Sequence, residues 1–167
     1  YEITTRLVGS EMCIRDRGID SHIKEYFDLP KVDVATYSPL ALAYIGDGIY
    51  DLVIRSIVVG KGNTKASRLH QTTSHLVKAH AQATMMETLT PMLTEDETEI
   101  YRRGRNAKSP TMAKNATMSD YRRATGFEAL MGYLYLTDQF ERILELSKEA
   151  IRHYNVKTGK NDLAGGK

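Results

Sequence analysis

From Pro39 to about Val59 the chain is apolar on nearly every face of a helix, its charged residues limited to Asp47, Asp51 and Arg55. Ser38-Pro39 predicts where that helix starts, with serine as N-cap and proline in the first turn. Gly60-Lys61-Gly62-Asn63 ends it. Thr64 opens a second helical region that reaches about Leu89, with Leu69, Leu76, Val77, Ala79, Ala83 and Met86 recurring at helical spacing and a bend expected near Thr72-Thr73. Thr90-Pro91 stops it. Thr94-Glu95-Asp96-Glu97 is a capping box and predicts a short helix to about Arg103. A turn-rich stretch, Gly104 to Thr111, separates it from a helix running from about Ser119 through Leu136. An amphipathic helix follows from about Gln139 to Tyr154. No strand and no internal repeat emerges, so the expected fold class is all-α.

Two acids break this pattern. Asp47 sits in the apolar helix between Gly46 and Gly48, and Glu128 sits between Phe127 and Ala129-Leu130-Met131. A carboxylate in core-type sequence must be paired, hydrogen-bonded, protonated or metal-bound, because an isolated buried charge is too costly. The flanking glycines weaken a helix, which suggests that something approaches the backbone closely there. Two such acids meeting across a helix pair would make an oxygen-rich site for a hard cation such as Mg²⁺. A structural carboxylate, satisfied by an arginine or by backbone donors, is the other reading. Asp51 precedes Arg55 by four residues, so an ordinary helical ion pair is its simplest role.

Composition narrows the classes. The 167 residues suit one domain with a real core. No apolar run is long enough to span a membrane, and the single cysteine, Cys13, excludes a disulfide framework and fits a cytoplasmic location. His70, His75 and His80 are five apart, which spreads them around a helix, and HExxH, Walker, GxSxG and dinucleotide motifs are absent. Residues 1–17 look like translated sequencing-adapter sequence and are expected to be non-native, leaving a domain at 18–155 and a polar, glycine-rich, disordered tail at 156–167.

The net charge of +2 hides an asymmetry. Residues 101–125 carry seven basic side chains against Asp120 alone, or +6, while the remainder sums to −4. A basic block on a mildly acidic body is the footprint of a polyanion partner. Arg105, Asn106 and Lys108 would grip phosphates, with Arg103, Lys114 and Arg122 as further contacts and Tyr121 available to stack or hydrogen-bond.

Leu42-Ala43-Tyr44-Ile45-Gly46-Asp47, Arg103-Gly104-Arg105-Asn106-Ala107-Lys108-Ser109 and Thr125-Gly126-Phe127-Glu128-Ala129-Leu130-Met131-Gly132-Tyr133-Leu134 together resemble the Mini-ribonuclease III branch of the ribonuclease III family, over about Tyr37 to Ile151. The resemblance implies an all-helical catalytic domain without a double-stranded-RNA-binding domain, acting as a homodimer. It further implies Mg²⁺-dependent cleavage of double-stranded RNA to 5′-phosphate and 3′-hydroxyl ends, and trimming of the 23S ribosomal RNA precursor. A ribosomal-protein helper is left open. Asp47 and Glu128 match family metal ligands, whereas Ala43 and Thr125 stand where the wider family has acids. The Mini branch shares this reduced set. The competing reading is a helical dimer that binds structured RNA without cutting it; a purely structural helical interaction protein, with both acids in core ion pairs, is a third.

Overall fold

The structure is a computed structural model that describes residues 18–108 and 117–159. Among these residues there are seven α-helices and no strand, as the periodicity predicts. They are α1 (Ile19–Tyr26), α2 (Pro39–Gly60), α3 (Ala66–Val77), α4 (Ala79–Leu89), α5 (Glu95–Asn106), α6 (Met118–Leu136) and α7 (Phe140–Thr158), with 3₁₀ turns at Val34–Thr36 and Thr90–Met92.

The strongest local signals fall where the chain chemistry puts them. Ser38 Oγ accepts from the Ala41 amide at the start of α2. Thr94 and Glu97 close a reciprocal capping box on α5. Other boundaries differ. The second helical region breaks not at Thr72-Thr73 but at Lys78, whose extended backbone (φ −67°, ψ 147°) separates α3 from α4. The N-cap of α3 is Lys65 rather than Thr64. Helix α5 continues past Arg103 through Asn106, and α7 runs to Thr158, three residues into the expected tail. Helix α1 has no counterpart in the sequence reading; residues 1–17, 109–116 and 160–167 lie outside the described ones.

Helix α6 is the hub, packing on α2, α4, α5 and α7. Its Phe127, Leu130, Met131 and Leu134 are fully buried, each contributing roughly 1.5–3 kcal/mol by burial. Phe127 meets Tyr50 of α2 edge to face, with ring centroids 4.8 Å apart. Helix α7 is tied to α5 by a bidentate ion pair: Arg142 Nε and Nη2 donate to Glu97 at 2.8 and 3.0 Å, and Nη2 also donates to the Met92 carbonyl. Burial alone would push the Glu97 carboxyl up, but Arg142 and the Thr94 amide bring it below its ordinary value.

Candidate active site

Glycine brings the two acids together. A Cβ on Gly46 would run into the carbonyl oxygen of Glu128, and one on Gly132 would run into the carbonyl oxygen of Leu42. Helices α2 and α6 therefore cross in backbone contact, with Asp47 one residue beyond the crossing on one side and Glu128 at it on the other. The close approach anticipated at the glycines is real for Gly46, and what approaches is helix α6. Gly48 faces open space.

The surroundings of Asp47 correct the sequence reading. Its helix is not enclosed: Tyr44 is 85% exposed, Leu52 53% and Val59 60%, and Asp47 itself is exposed. Glu128 is the more enclosed of the pair. Burial and then the neighbouring charge of Asp47 push its carboxyl up to about 8. Partial burial, followed by the charge of Asp51, also holds Asp47 above its ordinary value. Among the described residues neither acid has a cationic partner, whereas Asp51 pairs with Arg55 as its spacing predicts. Both acids thus sit where negative charge is penalised and no described cation compensates it. That donor set fits a hard divalent cation held by two carboxylates and completed by water or phosphate oxygens.

Within the described residues no third His, Cys, Asp or Glu joins them. The positions vacant by sequence stay vacant in space: Ala43 is buried, and Thr125 Oγ1 donates back to the Tyr121 carbonyl at 3.0 Å. One polar side chain that the sequence reading passed over does reach Glu128. Gln82 of α4, fully buried, lies close enough to favour the charged carboxylate, although neither amide atom closes a hydrogen bond of good geometry. A polar residue among Ala81, Ala83 and Met85 is the same signal that marked the two acids.

The basic residues divide. Arg105, Asn106 and Arg122 line one open cleft of about 450 Å³, joined by Arg123, Ser119 and Met118. Arg105 and Asn106 occupy the last turn of α5 rather than a loop, and Arg122 is on α6, six residues before Glu128. Gly104 is not a turn residue either. It is buried in the helix, where a Cβ would come within 2.7 Å of the Ala129 Cβ and 2.9 Å of the Gly126 Cα, so it permits α5 to close on α6. Arg103 points elsewhere, donating to the Tyr37 carbonyl at 3.4 Å. Lys108 is exposed but does not line the cleft. Lys114 lies outside the described residues. Arg123, counted only as charge in the sequence, contributes to the cleft while pairing with Glu87 at 3.3 Å.

Helical architecture, crossed acidic helices and a basic cleft on the same hub helix together define a ribonuclease III-type domain, and a model of the ribonuclease III domain matches residues 40–139. Mini-ribonuclease 3 of Enterococcus faecalis is 52% identical over 122 residues, covering 72% of this chain and 92% of that protein. Mini-ribonuclease 3 of Clostridium tetani is 43% identical over 136 residues, covering 79% and 90%. A crystal structure of a Fusobacterium nucleatum protein superposes with a TM-score of 0.67 at 28% identity, covering 74% of this chain and 98% of that one. The chain belongs to the Mini-ribonuclease III branch of the ribonuclease III family. It is an endoribonuclease, from a family that acts on double-stranded RNA and depends on a metal ion.

Proposed function

We propose that Asp47 and Glu128 hold Mg²⁺ and that the chain cleaves double-stranded RNA to 5′-phosphate and 3′-hydroxyl ends. The observation that carries this reading is the contact of Gly46 with the Glu128 backbone, which sets two mutually repelling carboxyls side by side with no cation between them among the described residues. A divalent ion there would polarise the phosphodiester and lower the pKa of a bound water. The chain's own residues do the positioning. Asp47 and Glu128 offer carboxylate oxygens from two helices that glycine contact locks in register. Arg105, Asn106 and Arg122 hold backbone phosphates, reading the duplex by shape and charge rather than by base edges. Lys108, Lys114 and Arg103 are weaker contacts, Arg103 because it already serves the Tyr37 carbonyl.

The chain works as a homodimer in this account. The exposed Tyr44, Leu52 and Val59 stripe supports that reading, since a helix apolar all round is suited to burial on both sides. Tyr44 at one edge of this stripe neighbours Asp47 on the helix, so a second copy seated there would border the acid pair. The substrate we assign is the base-paired end of the 23S ribosomal RNA precursor, in the cytoplasm. No described helix is long and apolar enough to cross a membrane. Mapping the ends released from a precursor duplex tests the assignment. Discrete 5′-phosphate ends on both strands are expected, and an uncut duplex would leave the non-catalytic RNA-binding dimer as the better reading.

A further inference from the structure

Ala43 and Thr125 bring no carboxylate to the acid pair, and the structure places a different polar group beside it. Gln82 has no solvent exposure, although glutamine is a residue that normally stays at the surface. It enters from α4, the helix that packs on α6 behind Glu128. Both its amide nitrogen and its amide oxygen are buried without a hydrogen-bond partner of good geometry. Its amide reaches toward the Glu128 carboxyl.

Burying an unpaired amide costs free energy that a leucine at the same place would not. A side chain retained at that cost, beside an acid with no cationic partner among the described residues, has its use when the acid is charged. The amide N–H then has an anionic acceptor, and the resulting bond is stronger than one between neutral groups. The amide oxygen remains to accept from a water at the site. Carboxylates that bind metal are themselves commonly oriented by such neighbours.

We propose that Gln82 is a positioning residue that orients the Glu128 carboxylate for the divalent cation, a role taken by a third helix where Ala43 and Thr125 offer no carboxylate. This rests on the assignment of Asp47 and Glu128 as the cation's ligands. Gln82 would touch neither RNA nor the scissile phosphate.

The test is Mn²⁺ binding to the full chain, followed by electron paramagnetic resonance of the free ion, alongside thermal unfolding in EDTA. Gln82→Leu should weaken Mn²⁺ binding about 10- to 100-fold with an unfolding midpoint in EDTA at or above that of the parent. Gln82→Asn, which keeps an amide N–H donor on a shorter stem, should retain more of the binding than Gln82→Leu does. Asp47→Asn serves as the reference. If Asp47→Asn abolishes binding while Gln82→Leu binds Mn²⁺ like the parent, the positioning role is wrong and the acid pair stands. Equal losses in Gln82→Leu and Gln82→Asn, with lowered midpoints in EDTA, would make Gln82 a structural amide and overturn the proposal. A parent chain that binds no Mn²⁺, or an Asp47→Asn variant that binds it normally, would remove the acid-pair assignment and this inference with it.

Discussion

Glu128 is the residue whose chemistry depends most on its surroundings. Its folded carboxyl is raised to about 8 by burial and by Asp47, against an ordinary carboxylate value near 4. Without metal, a group raised in this way stabilises the fold fully below its unfolded pKa, and that contribution is lost as pH rises toward 8. A cation at the acid pair must displace this proton, so its affinity should move the other way. Between pH 6 and 8 we expect Mn²⁺ affinity to rise by up to about tenfold per pH unit and then level off. Titrations at several pH values check this, and Glu128→Gln should leave little binding and no slope. The sequence flagged Glu128 and Asp47 for a sound reason, a charged group in apolar context. It misjudged Asp47's setting because an apolar helix face reads the same whether it is covered by its own chain or left exposed, as Tyr44 and Leu52 are. Gln82 escaped notice because an uncharged amide interrupts the pattern less than an acid does.

At the scale of helices, the site depends on the α2–α6 crossing. Gly46→Ala would place a methyl group against the Glu128 carbonyl, a backbone atom that cannot swing aside. It should cost at least about 2 kcal/mol and separate the acids, lowering both the thermal midpoint and cleavage. Gly48→Ala meets nothing and should instead stabilise the helix by up to about 1 kcal/mol. A pair of melting curves separates the two, and equal effects would refute the crossing as the reason for Gly46. Element starts were legible at Ser38 and Thr94, where a side chain caps the backbone and that chemistry is local, but not at Thr117, whose cap was not read. The break at Lys78 was not legible, since neither glycine nor proline marks it. Gly104 shows the same limit from the other side: beside Arg105 and Asn106 it resembles a loop glycine, and only the packing of α5 on α6 reveals what it is for.

For the whole molecule, the exposed side of α2 is the feature that a single copy leaves unexplained. Tyr44, three residues before Asp47, brings this exposed apolar surface next to the acid, so assembly and catalysis would be linked there. Sedimentation equilibrium should give twice the chain mass for the parent and a monomer for Leu52→Glu, with cleavage falling alongside. A parent chain that stays monomeric at micromolar concentration would refute the dimer. The all-helical class was readable from periodicity, and the basic region from charge alone. The cleft was not, because Arg105, Arg122 and Arg123 are distant in sequence and meet only when α5 and α6 pack.

The most direct test of the account is duplex-RNA cleavage by the parent chain and by Asp47→Asn across a Mg²⁺ titration, with duplex affinity measured alongside. The parent should cut only when Mg²⁺ is present, and Asp47→Asn should bind the duplex about as well yet leave it intact at every concentration. Cleavage by Asp47→Asn near the parent's rate, or an uncut duplex with the parent throughout, would contradict the claim that Asp47 and Glu128 hold the catalytic cation.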